Sequence, residues 1–396
     1  MKTKLLILSI IICSIINAQN VWTPKANFAG SGRQLAVSFS IGTKGYFGTG
    51  YNGSSNYDDF WEYDSNSNAW TQKASYPGTP VRGAAGFSIG TKGYIGTGFN
   101  GTYTKECWEY DQSTNNWTAK ANFGGPARYF ATAFSIGTKG YLGLGYDNVT
   151  FKNDFWEWDQ ATNIWTQKSN FAGSVRSGAK GFSIGGKGYI GLGSNVSLNQ
   201  AYSDFFEYDP SSNLWTTKAN YGGNARTHAS SFVIGNHGYI GAGSNISGAA
   251  YNDFWMYNPT TNAWTPAANF GGGVRSGAPC FSIGSYGYVG TGINGGTYTT
   301  DFWQYTPQDV GIAEHSLVNH VLIYPNPIVN QSVFSLNNEL KNATLKIYNL
   351  QGKEVKTQVF EGKEVVVERE SLANGIYLYQ IIEGNKKIAA GKIIFE

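Results

Sequence analysis

The feature of this sequence that most limits its fold is a repeat of 46 to 50 residues. Each copy carries a Trp-Thr pair, then an arginine, a Gly-Tyr-x-Gly-x-Gly segment and an aromatic segment such as residues 59–64. A period of this length indicates an array of similar supersecondary units. The tryptophans are Trp22, Trp70, Trp117, Trp165, Trp215 and Trp264. The arginines are Arg33, Arg82, Arg128, Arg176, Arg226 and Arg275.

Each copy contains four short segments rich in β-branched and aromatic residues, separated by Gly, Asn, Asp and Ser. This pattern is typical of a four-stranded antiparallel meander. The Gly-x-Lys-Gly turns, as at residues 90–93, suit two-residue hairpins in which glycine supplies a positive φ. One such sheet cannot bury both of its faces, whereas six sheets around an axis can. We therefore predict an all-β chain in which residues 19–306 form a six-bladed β-propeller.

The two ends of the repeat region support this number of blades. The chain begins in mid-unit with the Trp22 segment, and the sixth copy ends after residues 301–306 without an outer strand. The spare N-terminal strand is expected to complete the last blade from outside. This closure removes a sheet edge that would otherwise be open to aggregation.

The spacing of the glycines, the Tyr and the later Trp in these units resembles the kelch repeat family over about residues 20–306. The paired glycines of that family stand here as Gly-x-Gly, for example Gly48 and Gly50. The resemblance implies a kelch-type propeller without indicating a subfamily. The composition agrees, since 15% aromatic and 14% charged residues exclude a disordered chain and supply a large core.

The N-terminus is interpreted as a secretory signal of residues 1–18, with Lys2 and Lys4 ahead of an apolar run from Leu5 to Ile16. That run of 12 residues is too short to span a bilayer, which needs about 20. No transmembrane segment is predicted. Cys107 and Cys280 fall in non-adjacent copies, which favours buried free thiols over a disulfide.

Charge excludes one class of partner. The formal net charge is +3, and two of these positive charges lie in residues 1–18. The rest of the chain is close to neutral and has no basic stripe, so no nucleic-acid partner is expected. We expect a monomer.

A polar linker, residues 307–320, separates the repeats from a C-terminal region, residues 321–396, with alternating strand patterns. This region predicts a small immunoglobulin-like β-sandwich. Its landmarks are Tyr324-Pro325-Asn326-Pro327, Tyr348-Asn349-Leu350-Gln351-Gly352, Gly375-Ile376-Tyr377 and Gly391-Lys392-Ile393-Ile394. In this order they resemble the type A sorting domain of the type IX secretion system of Bacteroidetes-type bacteria. The resemblance implies that the secretion machinery recognises residues 321–396. The product would then be secreted or held on the outer-membrane surface of a Gram-negative bacterium.

Function is expected at one end of the propeller. The loops between the second and third segments differ between copies, whereas the Asp-x-x-x-Asn-x-Trp turns are nearly identical. Variable loops suggest recognition. The six arginines lead into the innermost strands on the same face, near the channel, where guanidinium groups can hold a carboxylate or sulfate. The alternative is that each arginine bridges neighbouring blades by pairing with Glu62, Glu109, Glu157 or Glu207.

Aromatic residues on these loops are further candidates for binding sugars or peptides. One recurs in every copy, at Tyr57, Tyr103, Phe151, Tyr202, Tyr251 and Tyr298, and is expected either to anchor its loop or to stack on a ligand. Three more, Tyr51, Phe99 and Tyr146, occur in only three copies and are the predicted exposed rings.

The sequence offers little for catalysis. Asp147 is nearly the only carboxylate of the variable loops outside the repeat, and the four histidines cannot supply a catalytic metal site. We predict no catalytic residue, metal or cofactor. Lys180 is a charge on an innermost strand where other copies have small or uncharged residues, and is expected to be a polar contact facing the channel.

The predicted function is a non-catalytic binding module for a glycan or an extracellular protein. Its candidate residues are the six arginines together with Tyr51, Phe99 and Tyr146. The alternatives are a sugar-active enzyme such as a kelch-type sialic acid mutarotase, or a purely structural surface protein.

Overall fold

The computed structural model of the chain describes residues 20–307, 321–349, 352–384 and 386–396. The chain divides into two compact units, residues 1–308 and 309–396. The predicted signal peptide and all but residue 307 of the predicted linker lie outside the described residues.

The first unit is built from short strands joined by turns and loops, with one 3₁₀ turn at Val196–Leu198 among its described residues. The strands of the first half are β1 (Val21–Lys25), β2 (Val37–Ile41), β3 (Lys44–Gly48), β4 (Phe60–Asp64), β5 (Ala69–Lys73), β6 (Ala85–Ile89), β7 (Lys92–Phe99), β8 (Tyr103–Asp111), β9 (Asn116–Lys120), β10 (Thr132–Ile136), β11 (Lys139–Gly143), β12 (Phe155–Asp159) and β13 (Ile164–Lys168). Those of the second half are β14 (Lys180–Ile184), β15 (Lys187–Gly191), β16 (Ser194–Asn195), β17 (Gln200–Ala201), β18 (Phe205–Asp209), β19 (Leu214–Lys218), β20 (Ser230–Ile234), β21 (His237–Gly241), β22 (Phe254–Asn258), β23 (Ala263–Ala267), β24 (Cys280–Ile283), β25 (Tyr286–Gly290), β26 (Ile293–Asn294), β27 (Thr297–Tyr298) and β28 (Phe302–Thr306).

Within the described residues these strands form six four-stranded antiparallel sheets, the blades of a propeller, and two short two-stranded sheets, β16-β17 and β26-β27. Blades one to five follow the chain, as in β2-β3-β4-β5 and β6-β7-β8-β9. Blade six has the order β1-β28-β25-β24, and Val21 on β1 pairs with Thr306 on β28. The six-bladed fold and its closure by the N-terminal strand are therefore confirmed.

The repeated tryptophans join neighbouring blades. Trp70 in blade one donates its indole N–H to the carbonyl of Ala26, next to β1 of blade six, at 3.1 Å. The same bond recurs for all six tryptophans at 2.8 to 3.1 Å. In blade one, the side-chain oxygen of Asn68 also accepts the Ala26 N–H at 2.9 Å. Trp and Asn recur because each contact between blades needs both.

The glycine before the repeated tyrosine allows the blades to pack closely. A Cβ added to Gly93 in blade two would lie 2.2 Å from the ring of Phe39 in blade one. Side-chain carbon atoms do not approach this closely, so only glycine fits between the sheets. Equivalent contacts at Gly45, Gly140, Gly188, Gly238 and Gly287 bury one phenylalanine between each pair of blades. Cys107 and Cys280 are free thiols, in agreement with the prediction.

The second unit contains β29 (Val321–Tyr324), β30 (Gln331–Tyr348), β31 (Glu354–Glu368), β32 (Gly375–Glu383) and β33 (Lys386–Phe395). The sheet order is β29-β30-β32-β33, and β31 also pairs with β30. Irregularities in the long β30-β31 pairing divide it into two parts. The buried core of the second unit includes Phe334, Leu345, Ile381 and Ile393, in keeping with the predicted sandwich-like domain.

Candidate ligand-binding site

Two kinds of segment meet at one end of the propeller. A lead-in segment precedes the first strand of each blade, and it pairs with the loop between the second and third strands, as in the bridges Gln34–Tyr51 and Tyr129–Tyr146. We call the surface formed by these segments the loop face. It contains all nine residues that the sequence proposes for ligand binding.

Five of the six arginines are buried in ion pairs. Arg33, Arg128, Arg176, Arg226 and Arg275 are 0 to 1% exposed. Each pairs through both terminal nitrogens with one aspartate just before the third strand of its own blade, and Nη2 lies 2.7 to 2.9 Å from the carboxylate. Nη1 also donates to a backbone carbonyl at 2.6 to 3.0 Å. The aspartates are Asp59, Asp154, Asp204, Asp253 and Asp301.

These bonds hold all five guanidinium groups against an aspartate and a backbone carbonyl, and burial keeps the groups from an anionic ligand on the loop face. Nε of Arg275 is buried without a partner among the described residues. The five arginines therefore brace the fold. Their acceptors are aspartates and not the predicted glutamates, and each pair lies within one blade and does not join two blades. The predicted glutamate partners were wrong, because Glu157 instead accepts the Tyr141 hydroxyl at 2.6 Å and pairs with Lys168 at 3.3 Å. Each aspartate, like each arginine, lies in a segment just outside the strands at the loop face, so the two side chains can meet there.

Blade two lacks this ion pair. Val81, 1% exposed, stands five residues after Tyr76, just as Arg33 stands five residues after Phe28. Backbone bonds confirm the alignment, since Gly50 N–H donates to the Val81 carbonyl as Gly98 N–H donates to that of Arg128. Glu106 replaces the aspartate and accepts the Trp108 indole N–H at 3.2 Å. Both members of the pair are therefore changed in this blade.

Arg82 consequently lies one position beyond the ring of buried arginines. It pairs with the Phe99 backbone, as Gln34 pairs with Tyr51. Its partly exposed guanidinium lies over two rings, at 4.3 Å from the Tyr51 centroid and 5.0 Å from that of Phe99. Among the described residues its one side-chain hydrogen bond is a long one of 3.4 Å to Asn56. Unlike the other five, this arginine retains donors for a ligand.

The rings around Arg82 continue into blade three. Phe99 lies 5.6 Å from Tyr129, and Tyr103 lies 5.4 Å from Tyr129 and 6.0 Å from Tyr146, measured between centroids. Each of these rings is partly exposed. We call the group the Arg82 cluster: Tyr51, Arg82, Phe99, Tyr103, Tyr129 and Tyr146. The structure thus brings the three predicted exposed rings together with one of the six predicted arginines.

Tyr129 was missed from the sequence. It occupies the position after the buried arginine, which is filled in the six blades by Gln34, Arg82, Tyr129, Ser177, Thr227 and Ser276. This position differs between blades and faces the loops. Counting residues from the preceding aromatic would have exposed both the misalignment of Arg82 and the candidacy of Tyr129.

The recurring loop aromatics behave as anchors in three blades. The guanidinium of Arg33 lies 3.9 Å from the Tyr57 centroid, and Arg176 and Arg226 cover Tyr202 and Tyr251 at 3.9 and 4.3 Å. Tyr103 has no buried arginine to cover in blade two. Blade two has Val81 where the other blades have a buried arginine, so the Tyr103 ring packs in the Arg82 cluster instead.

The electrostatics of the cluster combine one cation with largely neutral rings. Burial raises the pKa of Tyr129, with a further contribution from Tyr103, so this hydroxyl stays protonated at neutral pH. At the edge of the cluster Asp147 is charged. Burial alone would raise its pKa, but Lys152 and the backbone N–H groups of Val149 and Thr150 outweigh burial and lower it.

The axis of the propeller is closed at the backbone level. Six residues with positive φ, one per blade, form a ring of N–H to carbonyl bonds of 2.8 to 3.2 Å. They alternate between a large residue and glycine: Leu35, Gly83, Phe130, Gly178, His228 and Gly277. The Phe130 ring lies 2.7 Å from the position that a Cβ on Gly83 would take. For Gly178 the nearest atom is Thr227 Oγ1 at 2.3 Å, and the His228 ring lies at 3.2 Å. We call this the axial ring, and it separates the buried arginines from the axis.

Comparisons with known proteins agree with both units. Residues 322–396 match the family model described as a secretion system C-terminal sorting domain. A solved structure described as "Structure of YjhT", a kelch-type β-propeller, is similar with a TM-score of 0.63 and 14% identity, covering 72% of this chain and 97% of that one. At that identity the likeness establishes the fold alone. No curated protein matches the sequence.

The chain therefore has a six-bladed β-propeller fold like that of the solved structure, followed by a region that matches the sorting-domain model. The sorting domain indicates export by the type IX secretion system to the secreted or cell-surface compartment. Across the described part of the chain, no helix is long and apolar enough to cross a bilayer. No group of three potential metal ligands occurs within the described residues.

Proposed function

We propose that this exported propeller is a non-catalytic binding protein whose Arg82 cluster holds glycans that carry a carboxylate. The observation that carries the proposal is the contrast between Arg82 and the other five arginines. Those five are buried and paired with aspartate and carbonyl oxygens. Arg82 lies on partly exposed rings, without a carboxylate partner in the described chain.

The chemistry of the cluster suits an acidic sugar. A guanidinium can donate two parallel hydrogen bonds to a carboxylate, and aromatic faces pack against the apolar C–H faces of a sugar ring. Tyrosine hydroxyls add hydrogen bonds at the rim, in the manner of other aromatic-rich binding surfaces. Arg82 would hold the charge, and Phe99, Tyr103 and Tyr146 would hold the ring.

The test is binding of the full chain to neutral, uronic and sialylated glycans and to acidic peptides, at low and high salt. We expect selective binding of carboxylated glycans, weakened by salt. Arg82→Ala should reduce that affinity by about 10- to 100-fold, since a charged hydrogen bond contributes roughly 1.5–3 kcal/mol. Lys105→Ala, which removes an exposed cation from the same blade, is the matched control.

Three outcomes would contradict the proposal. Equal affinity for neutral and acidic glycans would remove the role of Arg82. Binding of acidic peptides alone would make the ligand a protein. Conversion of the bound sugar, followed by NMR of its anomeric protons, would favour the alternative of a sugar-active enzyme using the same cluster.

The second part of the proposal concerns where the protein acts. Because the sorting domain directs the chain out of the cell, we propose that the propeller meets its ligand at the outer surface or in the medium. Fractionation of cells that express the full chain, with antibodies against each unit, tests whether the propeller is retained or released. Recovery of the propeller inside the cell would contradict this placement.

A further inference from the structure

A small cavity of about 70 Å³ lies on the propeller axis. All six blades contribute to its wall, through lead-in segments and the first residues of the innermost strands. Most of the wall is apolar or backbone. The titratable side chains in it are Lys180, His228 and Cys280, and no Asp or Glu lines the cavity.

Lys180 is out of place in this wall. It is the first residue of β14, a position occupied in the other blades by Val37, Ala85, Thr132, Ser230 and Pro279. In the described chain no carboxylate forms an ion pair with it. Burial lowers the pKa of Lys180, which means that the surrounding protein disfavours the ammonium ion. The side chain is partly exposed along the axis, and a cation in a wall with so few polar neighbours is stabilised when a counter-charge accompanies it.

The two other titratable groups do not supply that counter-charge. Burial lowers the pKa of His228 to about 4, with Lys180 adding to the effect, so the imidazole is neutral at pH 7. Burial raises the pKa of the Cys280 thiol, which donates to the Ser231 carbonyl at 3.1 Å. Cys280 is therefore also neutral.

His228 is held in place but has an unused polar atom. Its backbone belongs to the axial ring, and its imidazole lies 4.5 Å from the Phe130 ring. Its Nε2 is buried without a hydrogen-bond partner among the described residues. A buried polar atom without a partner is destabilising, because it has lost its hydrogen bonds to water. The cavity thus contains two unmatched nitrogen groups, one on Lys180 and one on His228.

We propose that the axial cavity binds a small monovalent anion, such as chloride or formate, beside the Lys180 ammonium. The anion would supply the missing negative charge, and Nε2 of neutral His228, if protonated there, would be a second donor. The volume suits an ion of this size with a water molecule or two, since one buried water needs at least about 10–15 Å³. The site is independent of the Arg82 cluster.

Anion binding should be linked to a proton. The anion favours the charged amine, so binding raises the pKa of Lys180 and takes up a proton when the free amine is neutral. Affinity should then be constant at low pH and fall by about tenfold per pH unit above the pKa of the free amine. His228 and Cys280, the other titratable groups facing the cavity, stay neutral between the pKa of His228, about 4, and alkaline pH.

Thermal unfolding of the full chain tests this inference, in chloride, bromide or formate against gluconate at constant ionic strength. The small anions should raise the melting temperature in proportion to the logarithm of their concentration, and gluconate should not. Lys180→Met should abolish the difference between anions. Lys187→Met removes a surface cation paired with Asp209 in the same blade, and should preserve that difference.

Crystals of the wild-type chain grown in bromide give a second measurement, which does not depend on the folding of Lys180→Met. An anomalous peak within hydrogen-bonding distance of Lys180 Nζ is expected. A cavity without a bromide peak would overturn the proposal, as would equal stabilisation by gluconate or an undiminished anion effect in Lys180→Met. Failure of the glycan-binding test would leave this result unaffected, because the two sites share no residue.

Discussion

The lead-in segments of blades two and four occupy equivalent positions but serve different purposes. In blade four Arg176 is fully buried and bound to Asp204 and the Leu192 carbonyl. In blade two Val81 takes that buried position. The arginine that follows, Arg82, lies outside the pair network.

The comparison shows how a repeat protein can acquire a site without changing its fold. Replacing one ion pair by an apolar residue keeps the blade packed. It also frees Tyr103, whose counterpart Tyr202 in blade four is covered by Arg176 at 3.9 Å. Several residues that depart from the repeat thereby collect in the Arg82 cluster, and the residues that keep it form the scaffold.

The largest difference between the two blades is expected when the Arg176–Asp204 pair of blade four is removed. Arg176→Ala should lower the free energy of unfolding by about 3–5 kcal/mol, because it leaves Asp204 and backbone carbonyls without their donor. Denaturant unfolding of the full chain, followed by tryptophan fluorescence, measures the loss. Arg82→Ala is the control and should cost less than about 1 kcal/mol. Equal losses would mean that Arg82 is also a brace.

Val81→Arg and Glu106→Asp together should restore the missing ion pair in blade two. Val81→Arg alone should destabilise the propeller by about 3 kcal/mol, since it buries a cation opposite a misplaced Glu106. Adding Glu106→Asp should recover about 1–3 kcal/mol of that loss. A double-mutant cycle on the unfolding free energies gives the coupling. Additive effects would show that more than these two residues distinguishes blade two.

Acidic pH should distinguish the buried ion pairs from the Arg82 cluster, because only the ion pairs depend on a charged carboxylate. Burial alone would raise the pKa of Asp253, but the Arg226 guanidinium outweighs burial and holds it below its usual value. A lowered native pKa contributes stability above the unfolded-state pKa of about 4, and this contribution is lost as pH falls through the native value.

The wild-type chain should therefore be more stable than Arg226→Ala at pH 6, and the difference should shrink below pH 4. Melting temperatures of both proteins from neutral to acidic pH measure the change. Arg82→Ala should follow the wild-type pH dependence throughout, because no carboxylate in the described chain pairs with Arg82. A difference for Arg226→Ala that is constant with pH would contradict the assigned pair.

The smallest effect is expected at the rim of the Arg82 cluster. Tyr146→Ala should weaken binding of a carboxylated glycan by about 5- to 10-fold, as expected for one stacking ring. Its unfolding free energy should change by less than about 1 kcal/mol, because the ring is partly exposed. Tyr202→Ala, the matched ring anchored on Arg176, should leave binding unchanged. Isothermal titration and denaturant unfolding report the two quantities.

The Arg82 cluster could be predicted only in part. Tyr51, Phe99 and Tyr146 were identified because they are exceptions to the repeat, and the structure brings them together. The repeat presents the arginines as one equivalent set, although Arg82 stands six residues after Tyr76 and Arg33 only five after Phe28. One residue of difference separates a buried brace from a partly exposed donor, since neighbouring positions in an extended segment point to opposite sides.

The repeat, the spare first strand and the C-terminal motifs were enough to predict the fold, the blade number, the closing strand and the sorting domain. The blade pattern repeats at a fixed period, and the contacts that stabilise it lie within one blade or between neighbouring blades. The folded structure was needed to show which arginines are buried in ion pairs, which rings gather in the Arg82 cluster, and that Lys180, His228 and Cys280 line one cavity. Those facts depend on contacts between side chains many residues apart, and the spacing along the chain does not specify them.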